Sequence, residues 1–152
     1  MLDDYEAARR TADERKQQAQ ADEAAFLERF ARLRREVVRP VFEDASVILR
    51  SRGHGSVIRE VEFSASEGTP TEALIALLVT PAGMEHTASA DRHRQELCLS
   101  TRHYNRIVCI TNGAVPQSGS LAGGQGTHTV AQIDTQLVED ELLKLMAGMV
   151  RR

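Results

Sequence analysis

Three patterns in the sequence predict an α+β fold. Apolar residues recur at helical spacing near residues 26–52 and again near 135–150, and two-residue alternation with short apolar runs fills the stretch between them. Nowhere do strands and helices take turns, as a parallel sheet would require. The expected architecture is an N-terminal helical segment, kinked or broken at Pro40, then an antiparallel sheet of four to five strands, then a C-terminal amphipathic helix packed on that sheet. Residues 1–25 are expected to form a polar projecting helix or a partly ordered arm, and residues 26–152 a single domain. A chain of 152 residues can bury roughly two-thirds of its unfolded surface, so a core is possible without disulfides or metals.

From Leu2 to about Ala25 the chain is rich in Ala, Gln, Asp, Glu and Arg, which favour helix, but few large apolar residues mark a face. From Phe26 a stripe begins: Phe26, Phe30, Leu33, Val37 and Val41 are spaced by three or four, flanked by Leu27, Val38, Phe42 and Ala45. Pro40 lacks the helix-bonding N–H and disfavours helix at Arg39, so the helix is expected to kink there or a second helix to start, running from Val41 to Arg52. Gly53 stands where a left-handed cap would end it.

After Gly55 the period changes to two. Val57, Val61 and Phe63 alternate with Glu60 and Glu62 as in a half-buried strand. Glu67–Pro70 reads as a turn. Ala73–Val79 is apolar on both faces and is expected to be a central strand covered on both sides. Pro81 to about Asp91 is a polar loop. Gln95–Ser100 and Arg106–Thr111 read as a hairpin joined at Thr101–Asn105, with Leu97 facing Ile110, Leu99 facing Val108 and, on the other face, Cys98 opposite Cys109. Asn112–Gly126, with half of the ten glycines, reads as a long loop, and Thr127–Ile133 as a short edge strand. Asp134 or Thr135 can cap a last helix with a stripe of Val138, Leu142, Leu145 and Met149, flanked by Leu137 and Met146; Glu139–Glu141 sit towards its positive end, and Arg151 and Arg152 near its negative end.

Composition narrows the function classes. Net charge is −3, so no global basic field draws nucleic acid, and with no Trp, two Tyr and four Phe there is little to stack on bases or sugars. Only Lys16 and Lys144 among the 19 basic residues are lysines, a bias expected of a GC-rich, bacterial genome. The acidic start lacks a signal-peptide pattern, the longest apolar run is far shorter than a membrane span, and two cysteines make no disulfide framework, so the expected location is cytoplasmic.

No motif supplies chemistry. Gly119–Thr127 lacks the lysine and following helix of a phosphate loop and fits no dinucleotide fingerprint, so a plain connection is the better reading. The histidines and cysteines show no close zinc spacing; His93 and Cys98 are five apart across a loop-to-strand junction. Both cysteines fall in expected strands, where a thiol behaves as a small apolar side chain rather than as a nucleophile. The paired carboxylates all lie on expected helices and are accounted for by solvation. Arg29, Arg32, Arg34, Arg35 and Arg39 belong to a stretch, residues 26–53, with seven basic and four acidic side chains, which could lie along phosphates; but Glu28 and Glu36 stand at salt-bridge offsets from Arg32 and Arg39, as on a solvated face.

The favoured reading is a non-enzymatic protein-interaction module, an adaptor, chaperone-like or regulatory protein acting as a homodimer through its N-terminal helices, with neither cofactor nor metal. Partner or ligand contacts are expected at Arg29, Arg32, Arg35 and Arg39 and at the hairpin tip, His103, Tyr104, Asn105 and Arg106. The alternative is a small enzyme whose site is assembled from His103, Asn105, Cys109 and His128. A weaker one is nucleic-acid binding through the arginine-rich helix 29–39.

Overall fold

Good helix formers fill the N-terminal third of the chain, and in the computed structural model it is helical from Leu2 to Ser51; the structure describes residues 1–65, 68–83, 94–114 and 124–150. Helix α1 (Leu2–Leu33) passes through one wide π turn (Arg34–Val38) into α2 (Arg39–Ser51). The expected kink or break at Pro40 is absent: Leu33, Arg34, Val38 and Arg39 all keep right-handed helical dihedrals. The Arg39 N–H reaches back five residues to the Arg34 carbonyl. That widened turn accommodates a proline that has no N–H and whose ring would otherwise crowd the carbonyl four residues earlier.

The extra residue in the turn also rotates the buried face. Instead of continuing from Leu33 to Val37 and Val41, the core stripe runs Leu33, Val38, Phe42, Ala45, Leu49, and Val37 and Val41 are only partly buried. Phe30, Val38 and Phe42 are fully buried, each large side chain worth about 1.5–3 kcal/mol of burial. Helix α2 ends as expected at Gly53, whose φ of 86° is left-handed. The His54 N–H bonds to the Leu49 carbonyl and the Gly53 N–H to that of Arg50, the paired pattern that closes a helix on glycine.

Five strands follow: β1 (Gly55–Val61), β2 (Leu74–Thr80), β3 (Gln95–Arg102), β4 (Ile107–Ala114) and β5 (Gly124–His128), an antiparallel meander in chain order. Helix α3 (Thr135–Val150) returns across β3 and β4; Asp134 caps it by accepting from the Leu137 N–H, and Val138, Leu142 and Leu145 are buried, as their spacing predicts. The core lies between these helices and one sheet face, built from Ile75, Leu77, Val79, Leu97, Leu99, Val108 and Ile110. The fold is therefore α+β, with its helices on one side of the sheet.

Several local expectations are corrected. In β1 it is Ser56 and Ile58 that pair with Val79 and Leu77 on the helix side; Val57 and Val61 share the opposite face, where Val57 is exposed, and Phe63 lies beyond the strand. Central strand β2 is covered by helices on one side only, since Leu74, Ala76 and Leu78 have the parity of the other face. The β3–β4 register is shifted by two residues: Leu97 faces Asn112, Leu99 faces Ile110, Cys98 faces Thr111 and Cys109 faces Ser100. Thr101 is the cause, held in the strand by bonds between its N–H and the Ala73 carbonyl and between the Ala73 N–H and its Oγ1. The turn becomes His103–Arg106, with Arg106 at φ 55°. The expected loop from Asn112 contributes Asn112–Ala114 to β4 and Gly124–Gly126 to β5, and Val130–Gln132 is a single 3₁₀ turn rather than strand.

Two carbonyls of edge strand β1 are taken by arginines: Ser56 accepts from Arg50 Nη2 at 3.2 Å and Val61 from Arg34 Nη1 at 3.1 Å. His93, Gly119, Gly123, residues 84–91 of the Pro81–Asp91 loop, Arg151 and Arg152 lie outside the described residues.

Candidate functional site

The sequence-predicted contacts fall in two places. At the hairpin tip, the turn carries His103 against Glu72, two residues ahead of β2. The Glu72 carboxylate accepts from the His103 backbone N–H, from Thr101 Oγ1 and from His103 Nδ1, the last at 3.0 Å. A carboxylate only accepts when ionised, so it selects the tautomer with the proton on Nδ1 and leaves Nε2 as the available ring nitrogen. Phe63 packs on the ring at 4.9 Å between centroids and Tyr104 meets it edge-on at 5.6 Å. Beside the imidazole is a cleft of about 400 Å³, whose other wall is Gln20, Glu23 and Ala24 of α1. Tyr104, Asn105 and Arg106 are exposed.

The arginines do not form one free basic stripe. Arg39 binds Glu43 at 2.9 Å and Glu60 at 3.2 Å; the Glu60 hydrogen bond and charge, followed by those of Glu43, raise its pKa further. Arg35 meets Glu36 at 3.7 Å on the surface. Arg29 and Arg32 are exposed and unpaired among the described residues, so the expected Glu28–Arg32 pair is not formed. The arginine that sequence reasoning counted in the basic stretch without singling it out is Arg34. Nine-tenths buried, it donates to the Val61 and Leu74 carbonyls, pairs with Glu62 and Glu60, and lies over the Phe30 ring. Its signal was present, because position 34 follows Phe30 by four and shares its face.

The dispersed set His103, Asn105, Cys109 and His128 does not converge. His128 pairs with Val108 and so faces the helices, whereas Cys109, one residue on, has the opposite parity. Cys98 and Cys109 are both free; burial, then the neighbouring Glu96 charge, pushes the Cys98 thiol up to about 12.

A cavity that the sequence did not announce lies between α3 and the β4–β5 end of the sheet. Its volume is about 500 Å³, and Gln95, Asn112, His128 and Glu141 give it polar walls. Gln95 was readable in part, as an amide sharing the inward parity of Leu97 and Leu99; Asn112, assigned to a loop, was not. Among the described residues no helix is long and apolar enough to cross a membrane. Compared with known proteins, the chain matches no family model, no curated protein and no solved structure.

Proposed function

We propose that this chain is a non-enzymatic protein-interaction module, an adaptor or regulatory protein, that works as a homodimer through the free part of α1. The observation that carries the reading is that residues 2–21 are helical yet exposed along their whole length. A helix of that size without tertiary packing is marginal in water, and a second helix laid against it would supply what the body does not. Tyr5, Ala12 and Ala19 repeat at seven-residue intervals ahead of Phe26 and Leu33, so the face that enters the core continues outward along the free segment. Free thiols suit a reducing cytoplasm, and the arginine bias suits a bacterial source.

Light scattering tests the reading. The full chain is expected to run at twice its monomer mass, and Ala12→Glu with Ala19→Glu to run as a monomer with an unchanged thermal transition of the body. A full-length monomer at tens of micromolar removes the idea. The enzyme reading keeps one observation in its favour, the Glu72–His103 dyad beside its cleft. It gains if the chain hydrolyses p-nitrophenyl acetate faster than free imidazole and His103→Ala abolishes the excess.

A further inference from the structure

The cavity under α3 is more than a packing gap, and its polar atoms say what it takes. Gln95 is 3% exposed, and its Nε2 has no hydrogen-bond partner among the described residues; His128 Nδ1 is likewise buried and without a partner among them. Buried polar groups in folded proteins are nearly always bonded, so two such atoms on residues that line one cavity mark groups that a bound molecule would satisfy as these side chains turn towards it. The cavity is also built to stay open. Gly126 leaves room for the His128 ring, whose Cε1 lies 3.2 Å from where a Cβ at 126 would stand, and a Cβ at Gly148 on α3 would meet nothing within 4 Å.

The surrounding chemistry selects the ligand class. Asn112 Nδ2 is committed to the Glu141 carbonyl and carboxylate, both at 2.8 Å, and Lys144 meets the other carboxylate oxygen at 3.1 Å. One carboxylate is offset by one ammonium, so the cavity carries no net charge to hold a phosphate or a free cation. Ile110 and Leu145 provide an aliphatic floor. A hydroxyl both donates and accepts, and so satisfies the Gln95 amide in either orientation and the His128 ring in either tautomer. At about 500 Å³ the space is that of a small-molecule site. The scarcity of aromatics argues against a stacking platform for an extended saccharide, not against a compact polyol held by amides on an aliphatic floor.

We propose that the cavity between α3 and β4–β5 is a binding site for a small, uncharged, polyhydroxylated molecule, of the size of a monosaccharide or cyclitol, held by Gln95 and His128. The full-length ¹⁵N-labelled protein is titrated with D-glucose, D-ribose, myo-inositol and glycerol. Saturable shifts of the Gln95 and Asn112 side-chain amide signals are expected for at least one of the four, with affinity lowered about tenfold in Gln95→Leu. Gly148→Leu is the second variant: its Cβ meets nothing within 4 Å, so the side chain enters the space from the helix side; it raises helix propensity and is expected to abolish binding in a folded protein. No saturable shift with any of the four probes into the high-millimolar range overturns the proposal, as does binding that survives Gly148→Leu unchanged.

Discussion

The two cysteines differ by parity and burial rather than by sequence context. Cys98 lies on the sheet face away from the helices and is only 9% exposed, while Cys109 is half-buried. Burial first and the Glu96 charge second raise the Cys98 pKa from 9.0 to about 12, so its thiol stays protonated where an unfolded thiol would ionise. A raised folded pKa contributes stability that is fully present below about pH 9 and is lost as the pH rises towards 12. Urea denaturation is therefore expected to show a fall in stability above pH 9 that Cys98→Ala removes, and iodoacetamide at pH 8 is expected to modify Cys109 well before Cys98. Equal rates at both thiols would contradict this account. That both thiols sit outside the core layer was legible, because Leu97, Leu99, Val108 and Ile110 share the inward parity in any register that keeps them together. Which residue each thiol faces was not. Thr101, anchored to Ala73, shifts the pairing register by two residues, and that bond depends on a residue distant in sequence.

At the scale of elements, the π turn joins two helices that would otherwise present mismatched stripes. The spacing of Phe26, Phe30 and Leu33, and separately that of Phe42, Ala45 and Leu49, was visible in the sequence; the extra residue between them was not, because period counting assumes a constant turn. Deleting the exposed Glu36 converts the turn to an ordinary one while keeping both buried faces in register, but it sets the Pro40 ring against the carbonyl four residues earlier. The deletion alone is expected to cost about 3 kcal/mol, and deletion with Pro40→Ala to recover most of it, read from denaturation midpoints. A double variant no more stable than the deletion would show that the π turn serves something other than the proline. The last helix needed no such correction, since cap, stripe and flanking residues all agree within one segment.

The whole molecule is a five-stranded meander with helices on one face, an order legible from the absence of strand–helix alternation. What stayed hidden was which face of β1 is buried, because Val57 and Val61 look like core residues until the register against β2 sets Ser56 and Ile58 opposite Val79 and Leu77. It is β1, one of the two outer strands, that has the most to lose from its position. An outer strand presents unpaired backbone groups that can capture another chain and seed aggregates. Arg50 reaches from the helical layer to the Ser56 carbonyl and leaves an exposed charged group beside that strand, whereas Arg34 is buried and holds the Val61 and Leu74 carbonyls where β1 meets β2. A charge so placed is expected to guard against sheet-to-sheet growth, a role distinct from any binding site. Because Arg50 is exposed and makes little core contact, Arg50→Met is expected to leave the thermal midpoint almost unchanged while accelerating turbidity growth of concentrated native protein. If the guard works, the chain can hold its long exposed helix out in solvent without polymerising through its sheet.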